Sequence, residues 1–234
     1  LVCAASGAVH SFGCARAGAL GHGRSDGMDS GGTSATGSTH EADTSERARR
    51  CVPPAHGRRP QMEIGALPGA AGAAVEFCAR PRRIVALVGV RIATVSAGSA
   101  HSAAVSACDG GVWTWGCGRD GRLGHGSEDS TAVPTRVAAL GGVRCARVAA
   151  GTAHTLAIGV DGALFAWGLG ANGQLGGDGT PSRTSQPMRV RVLVGVRVVS
   201  AAAGACHSVV VDATGRVHVF GSASAALGLG MGGL

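Results

Sequence analysis

Histidine is the residue type in this sequence that could do chemistry near neutral pH, because an imidazole can transfer a proton or bind a metal ion. Three histidines stand in one motif, Gly-x-x-His, at Gly98 and His101, Gly151 and His154, and Gly204 and His207. Consecutive histidines of this set are 53 residues apart. Such even spacing places each at the same point of a different structural unit instead of gathering them into one catalytic or metal site. We interpret each as a partly buried imidazole that ties neighbouring strands together by hydrogen bonds.

The cysteines show no pattern that favours a metal centre. There is no Cys-x-x-Cys pair and no histidine at a metal-ligand spacing from a cysteine, and the eight residues are scattered at positions 3, 14, 51, 78, 108, 117, 145 and 206. We predict reduced structural thiols in an intracellular protein, cytoplasmic or nuclear. No apolar run of about 18 residues is free of charge, so we predict no transmembrane segment and no membrane partner.

The glycine-rich stretch GLGANGQLGGDG, residues 168–179, could be mistaken for a nucleotide-binding loop. It follows an apolar strand, but no helix begins after it, and a phosphate-binding loop needs a helix N-terminus. We interpret it as a turn. The sequence also has no Ser-His-Asp order, no paired acids and no nucleophile elbow. These observations predict a protein that is not an enzyme and that uses neither a cofactor nor a metal.

Two further landmarks recur in step with the histidines. An aromatic residue stands before glycine at Phe12, Trp115, Trp167 and Phe220, and a Leu-Gly pair begins at Leu20, Leu123, Leu175 and Leu227. From residue 98 onward, all three landmarks repeat every 52 or 53 residues. A period near 50 is typical of propellers and similar arrays. Large aromatics at a repeated position are expected to be core wedges between the repeated units.

One repeat encodes about four short strands and no helix. RIATVSAG and HSVVVDA have the branched, alternating pattern of strands, and VDGA and ATGR supply the positive φ of a tight hairpin turn. ALFAWG and RVHVFG predict the next strand, and a Gly/Asn loop then leads to a last strand such as QPMRVRVL. Four antiparallel strands at this period describe a propeller blade, with a solenoid as the alternative.

The complete motif resembles one known repeat. Gly-x-x-His-Ser/Thr, an apolar strand, Asp-Gly, aromatic-Gly and Gly-x-Asn-Gly-Gln-Leu-Gly follow one another in AGTAHTLAIGVDGALFAWGLGANGQLG, residues 150–176. This order resembles the repeat of the regulator of chromosome condensation (RCC1) family, over residues 1–23 and about 84–234. The resemblance implies an all-β fold, a propeller of seven four-stranded blades. With about three to four blades, the chain is expected to be an incomplete RCC1-type β-propeller that is cut inside a repeat at both ends.

The repeats divide the chain into five segments. Four are repeats or parts of repeats, of which the first and last are truncated: residues 1–23, 84–141, 142–194 and 195–234. Residues 24–83 are rich in Gly, Ser, Thr and Arg, with hardly any strand-like apolar run. We predict a low-complexity, disordered loop insertion there. A decayed blade is the alternative, because the excess length is near one period and GSTH, residues 37–40, mimics the first landmark.

The resemblance implies two classes of function. Propellers present loops on two faces, and function resides in such loops rather than in the fold, which favours a protein-interaction or scaffold module. The alternative is a guanine-nucleotide exchange factor for a Ran-like small GTPase, with chromatin association. A net charge of +7, with 21 arginines and no lysine, suits nucleic acid or an acidic partner. However, no basic stripe with interleaved aromatics supports direct nucleic-acid binding.

Photoreception is not expected from this sequence. Photoreceptors with this fold use clustered tryptophans, one of them inside the Gly-x-x-His motif. The corresponding slots here hold small residues, at Ser99-Ala100, Thr152-Ala153 and Ala205-Cys206.

Overall fold

A computed structural model describes residues 1–14, 19–21, 77–177, 179 and 181–222, all within one compact unit. These residues form strands and short 3-10 turns, which confirms the predicted all-β class. Within the described ranges, no helix is long and apolar enough to cross a membrane. The described strands are β1 Val2–Cys3, β2 Val9–Cys14, β3 Phe77–Arg83, β4 Ile92–Ala97, β5 His101–Ser106, β6 Val112–Gly116, β7 Thr131–Arg136, β8 Cys145–Ala150, β9 His154–Gly159, β10 Leu164–Leu169, β11 Arg183–Arg189, β12 Val198–Ala203, β13 His207–Asp212 and β14 Val217–Gly221.

The strands form four antiparallel sheets in which neighbours along the chain are also hydrogen-bonded neighbours. The first sheet contains β1–β3, the second β4–β7, the third β8–β11 and the fourth β12–β14. The second and third sheets therefore have the four strands of the predicted blade. β4 contacts β8, and β8 contacts β12, so the first strands of successive sheets lie side by side. This is the architecture of consecutive blades of an incomplete β-propeller.

Asp161 and Gly162 form the predicted hairpin turn between β9 and β10. Gly162 has a φ of +87°, a left-handed conformation that glycine adopts without steric cost. Asp161 Oδ1 accepts a hydrogen bond from the Ala163 amide at 3.0 Å, which closes the turn. The hairpin sets the register of the two strands, in which Trp167 is paired with Thr155.

The first sheet differs from the sequence prediction. Residues 77–83, which the sequence assigns to a disordered insertion over 24–83, form β3 and pair with β2. The sequence FCARPRR has little of the branched, alternating pattern of a strand, and Pro81 is tolerated because β3 lies at the edge of its sheet. The remainder of the predicted insertion lies outside the described residues.

The segment QPMRVRVL, residues 186–193, is also not one strand as predicted. β11 ends at Arg189, Val190 is buried, and Arg191–Leu193 form a 3-10 turn. The chain must turn here because it passes from the last strand of one sheet to the first strand of the next. The equivalent connections after β3 and β7 contain the same kind of turn, at Val85–Leu87 and Ala138–Leu140.

The ends of the strands define two faces of the described unit. In the second to fourth sheets, the loop between the first and second strands carries Gly-x-x-His, and the loop after the third strand carries Leu-Gly where it is described. We call this side the landmark face. In the first sheet, the positions of Phe12 and Leu20 make β1, β2 and β3 equivalent to the second, third and fourth strands of the other sheets. Because antiparallel strands alternate in direction, the turns between second and third strands lie at the opposite end, together with the connections from sheet to sheet. We call that side the hairpin face.

The hydrophobic core lies between neighbouring sheets. Trp115 of the second sheet packs in a cluster with Val9 of the first, and Trp167 of the third packs with Val105 and Val112 of the second. A third cluster joins the third and fourth sheets. Fully burying a large apolar side chain contributes roughly 2–3 kcal/mol. Each sheet is therefore stabilised mainly by its neighbours, with the landmark tryptophans inside the interfaces.

Candidate functional site: the junctions between sheets

The Gly-x-x-His histidines begin the second strand of each sheet and reach across to the next sheet. His101 Nε2 lies 2.8 Å from Thr155 Oγ1, and His154 Nε2 lies 2.9 Å from Ser208 Oγ. Both imidazoles are fully buried, more so than the partly buried state expected from the sequence. His207 in the fourth sheet is partly buried. The structure thus keeps the three histidines apart, each in its own sheet.

The hydroxyl partner determines which imidazole atom carries the proton. Thr155 Oγ1 donates its only hydrogen to the Arg122 carbonyl at 2.8 Å. Toward the imidazole it can only accept, so His101 donates from Nε2–H. The same arrangement recurs at the next junction, where Ser208 donates to the Gln174 carbonyl at 2.8 Å. Both buried histidines therefore carry a proton on Nε2.

The surroundings of these imidazoles oppose a second proton. Burial, followed by the positive charge of Arg122, lowers the pKa of His101 to about 3. Burial lowers the pKa of His154 to about 4. Nδ1 of each ring is buried without a hydrogen-bond partner in the described structure, so a proton placed there would have no acceptor. These groups are not poised for acid–base chemistry at neutral pH.

The same region offers no evident ligand set for a metal. Among the residues that the structure describes, no group of three or more His, Cys, Asp or Glu side chains could hold a metal ion. Cys3, Cys108, Cys117 and Cys145 are free thiols.

The aromatic-Gly landmark uses the same backbone carbonyls as the hydroxyls. Trp167 Nε1 donates to the Arg122 carbonyl at 2.9 Å. Trp115 Nε1 donates to the Ala19 carbonyl at 3.0 Å, and Ser102 Oγ donates to that carbonyl at 2.7 Å. In both junctions, one carbonyl of a sheet receives two donors from the next sheet. The junctions are therefore joined by directed hydrogen bonds as well as by apolar packing.

The Leu-Gly landmark provides the surface on which the aromatic ring packs. A Cβ on Gly124 would lie 2.8 Å from Trp167 Nε1, and a Cβ on Gly176 would lie 2.8 Å from Phe220 Cε2. A side chain at either position would therefore require the ring or its surroundings to shift. The leucines of this landmark within the described ranges are buried, at Leu20, Leu123 and Leu175. Leu227 lies outside the described residues.

The glycines of Gly-x-x-His allow the loops of successive sheets to approach closely. A Cβ on Gly98 would collide with the Gly151 carbonyl and with the His101 ring. A Cβ on Gly151 would lie 2.6 Å from the Gly204 carbonyl. The Ser99 amide donates to the Gly151 carbonyl at 3.2 Å, which links the two loops directly. These glycines are thus required by close backbone approach.

Phe12 differs from the core wedge expected at its position, because its side chain is 46% exposed. Trp115 and Trp167 pack on the Leu-Gly pair of the preceding sheet. Phe12 belongs to the first sheet, and the described residues include no sheet before it. Its ring therefore has no Leu-Gly surface to cover it. Trp113, whose counterparts in the next two repeats are Phe165 and His218, is partly buried against the cluster that contains Trp115 and Val9.

Sequence reasoning missed the carbonyl acceptors at the centre of each junction. They belong to Ala19, Arg122 and Gln174, each directly before a Leu-Gly pair. A backbone carbonyl is common to every residue type, so the side chains give no signal of this role. Arg122 adds a side-chain contribution, since its guanidinium donates to the Thr152 carbonyl and pairs with Asp120, each at 2.8 Å.

The repeats also match a known family. Residues 109–158 and 161–211 match the model of the regulator of chromosome condensation (RCC1) repeat, and residues 145–174 match a second model of this repeat. The chain carries RCC1 repeats. Each of the two longer matches runs from the turn after the second strand of one sheet into the second strand of the next. One RCC1 sequence repeat therefore spans one junction between sheets.

Two related proteins contain similar repeats. Over 146 residues, or 62% of this chain, the sequence is 40% identical to the E3 ubiquitin-protein ligase HERC2 of Homo sapiens, of which the match covers 3%. Over 142 residues, or 60% of this chain, it is 37% identical to the ultraviolet-B receptor UVR8 of Arabidopsis thaliana, of which the match covers 32%. The chain thus spans a third or less of the length of these relatives.

Solved structures of yeast RCC1 (Prp20) share the architecture. The structure with Kap60 matches with a TM-score of 0.56 and 27% identity, over 66% of this chain and 37% of that one. A second structure, of Prp20p from Saccharomyces cerevisiae, matches with a TM-score of 0.53 and 24% identity, over 61% of this chain and 35% of that one. That work concerns the binding of Prp20p to Gsp1p and histones.

Proposed function

We propose that this RCC1-repeat chain is a protein-interaction module that serves as a scaffold. The observation that carries the proposal is the use of the motif side chains: His101 and His154, their hydroxyl partners and the indoles of Trp115 and Trp167 are bonded to one another or to backbone between sheets. Groups that are buried and bonded in this way stabilise the array and have no access to a substrate. Function then resides in the residues exposed on the two faces.

The small share of HERC2 that the match covers supports a module that is one part of a larger protein. The match to HERC2 covers only a small share of that protein, as is typical of a repeat array joined to other domains. We infer that the partner of this chain is a protein and that the chain works inside the cell, in the cytoplasm or the nucleus.

Guanine-nucleotide exchange on a Ran-like small GTPase, with chromatin association, is the second candidate. The likeness to yeast Prp20 favours it, because that protein has been studied for its binding to Gsp1p and histones. An exchange factor must push a loop into the nucleotide site of the GTPase and stabilise the empty form. The repeat landmarks of this chain belong instead to the junctions, so nothing in them supplies such a loop.

Two assays test the proposal against this alternative. In the first, the immobilised chain is incubated with cell extract, and a retained protein is identified, purified and titrated against the chain by calorimetry. Saturable binding at a fixed stoichiometry supports a scaffold, and its absence for every retained protein contradicts one. In the second, a Ran-type GTPase loaded with fluorescent GDP is mixed with the chain. We expect an unchanged release rate, and acceleration by several orders of magnitude would replace the scaffold with an exchange factor.

A further inference from the structure

The hairpin face and the landmark face differ in charge. The turns and connections of the hairpin face contain two acidic residues, Asp109 and Asp161, and five arginines: Arg91, Arg144, Arg191, Arg197 and Arg216. β3, β7 and β11 each end in a further arginine on this face, and β13 ends in an aspartate, Asp212. The described loops of the landmark face contain two arginines, Arg119 and Arg122, and three acidic residues, Asp120, Glu128 and Asp129, and β11 begins with a third arginine, Arg183. Positive charge is therefore concentrated on the hairpin face.

The aspartates of the hairpin face leave this charge largely uncompensated. Asp161 accepts a hydrogen bond from the backbone of its own turn. Asp109 pairs with Arg136, the last residue of β7, at 2.6 Å. Asp212, at the end of β13, pairs with His218 at 2.9 Å. None of the five arginines in the turns and connections forms an ion pair within the described part of the chain.

Three of these arginines occupy equivalent places along the inner edge of the sheets. Arg91, Arg144 and Arg197 each stand directly before the first strand of a sheet, and those strands lie side by side. A Cβ on Gly7 would lie 2.6 Å from Arg91 Cγ, and one on Gly162 would lie 2.5 Å from Arg197 Cγ. The stem of the arginine thus rests on a turn glycine of the preceding sheet. Because all three residues are exposed, this packing presents a row of cations to solvent.

The same face also exposes aliphatic side chains. Ten large hydrophobic residues are strongly exposed in the described structure. Six of them lie on the hairpin face, either in its turns and connections or at the start of the strand that follows. They are Val85, Val88, Val160, Val192, Val194 and Val217. Their exposed fractions run from 53% to 75%. Exposed aliphatic groups grouped on one face mark an interaction surface. Arginine beside apolar groups is typical of protein interfaces.

We propose that the hairpin face binds an acidic protein segment that alternates carboxylates with aliphatic side chains. Its carboxylates pair with Arg91, Arg144 and Arg197, because a planar guanidinium group can donate two parallel N–H hydrogen bonds to one carboxylate. Its aliphatic side chains cover Val192, Val194 and their neighbours, which removes apolar surface from water. The inference deepens the proposed scaffold function and rests on it, since it assigns the face and the chemistry of the partner.

The exposed valines distinguish a protein segment from nucleic acid. A phosphate backbone would use the arginines but would gain nothing from aliphatic side chains. Single-stranded nucleic acid is held by aromatic side chains on which bases stack. Within the described residues, Phe12 is the strongly exposed aromatic, and it lies near the landmark end of β2. Trp113 and Phe165, near the hairpin end of their strands, pack against the core clusters.

The test measures fluorescence anisotropy of three fluorescein-labelled probes with the full chain at about 0.15 M salt. The first probe is a peptide in which Asp and Glu alternate with Leu. The second is the same peptide with Ser in place of Leu, and the third is duplex DNA. We expect the first probe to bind, the Ser peptide to bind at least about fivefold more weakly, and DNA to bind more weakly than either peptide.

Matched variants locate the binding surface. Arg91→Gln with Arg197→Gln is expected to weaken the Leu peptide about tenfold, whereas Arg119→Gln with Arg183→Gln on the landmark face changes its binding less than about twofold. Val192→Ser with Val194→Ser is expected to weaken the Leu peptide and leave the Ser peptide unchanged. Thermal unfolding of each variant establishes that it is folded.

Each other outcome overturns the inference in a recognisable way. Loss of peptide binding in the landmark-face variant alone leaves a protein-interaction module but moves its site to the other face. Tighter binding to DNA than to the Leu peptide, with no effect of the valine changes, assigns the arginines to phosphate binding. If none of the probes binds, the hairpin face does not recognise acidic segments. The scaffold proposal is then still decided by its own experiment, the calorimetric titration of a retained partner.

Discussion

His101 of the second sheet donates from Nε2 to Thr155 Oγ1 of the third sheet over 2.8 Å, and both side chains are fully buried. Thr155 Oγ1 in turn donates a hydrogen bond to the Arg122 carbonyl, back in the second sheet. The contact therefore closes a hydrogen-bonded circuit between two sheets. The next junction repeats it with His154 and Ser208. We infer that the most conspicuous residues of the repeat motif serve to join the sheets.

Replacing Thr155 by Val tests the circuit with little change of shape. The variant leaves the His101 Nε2–H donor without an acceptor and removes one of the two hydrogen bonds that the buried Arg122 carbonyl accepts. We expect the free energy of unfolding to fall by roughly 1–3 kcal/mol, measured as a lower urea midpoint. Thr152→Val, at an exposed residue of the adjacent loop, should change stability by less than about 0.5 kcal/mol. Equal stability of the two variants would show that the circuit contributes nothing.

Acid should destabilise the chain through the buried histidines. Folding lowers the pKa of His101 to about 3 and of His154 to about 4, from 6.5 in the unfolded chain, so protons bind the unfolded chain first. The stabilisation is complete above pH 6.5 and is lost progressively as the pH falls, toward about 4 for His154 and about 3 for His101. We expect each histidine to cost roughly 1.4 kcal/mol of unfolding free energy per pH unit in this window.

Urea unfolding at pH 7 and pH 5 measures this dependence. The matched variant carries His101→Gln and His154→Gln, which keep an N–H donor but cannot titrate. Its unfolding free energy should change much less over the same interval. If the unfolding free energy of this double variant depended on pH as steeply as that of the unmodified chain, the acid sensitivity would belong to other groups.

Gly124→Ala tests whether the glycine of the Leu-Gly landmark is needed for the Trp167 ring to pack against it. Gly124 has a φ of +79°, and its added Cβ would lie 2.8 Å from Trp167 Nε1. Gly142 is the matched control, because its φ is +86° and nothing lies within 4 Å of its added Cβ. Both changes incur backbone strain of about 1–2 kcal/mol. We expect the free energy of unfolding to fall by roughly 1–3 kcal/mol more in Gly124→Ala than in Gly142→Ala, because the added methyl group overpacks the core. Thermal or urea unfolding measures the difference.

The thiols should differ widely in reactivity. Burial, with a smaller contribution from the charge of Asp161, raises the pKa of Cys145 to about 11. Cys108 is exposed in the turn after β5. Because the thiolate is the reactive form, a maleimide should label Cys108 rapidly and Cys145 only when the chain unfolds. Peptide mass spectrometry over a time course reads out both sites, and equal labelling rates in the folded chain would be inconsistent with the buried position of Cys145.

Much of the fold could be predicted from the sequence because its signals are local. Asp161 and Gly162 dictate a tight turn, and the alternating residues around them dictate the two strands that it joins. The period of the landmarks then predicts repeated sheets. β3 could not be predicted in the same way, because FCARPRR is a poor strand sequence that forms one only by pairing with β2.

The site illustrates a second limit of sequence reasoning. His101 and Thr155 are visible as a repeated motif, but their shared partner is the Arg122 carbonyl, which no side chain reveals. Phe12 carries the landmark sequence yet is exposed, because burial of this ring depends on a preceding Leu-Gly pair rather than on its own strand. Both features depend on contacts between sheets, which the local pattern does not encode.

The central claim is that the Gly-x-x-His histidines build the framework and do no chemistry. Long-range ¹H–¹⁵N correlation spectra of the histidine side chains, recorded from pH 7.5 downward, test it most directly. We expect His101 and His154 to stay neutral with the proton on Nε2 through about pH 5, because their pKa values are about 3 and about 4. Titration of either ring near 6.5, or a proton on Nδ1, would show an accessible imidazole and would contradict the account.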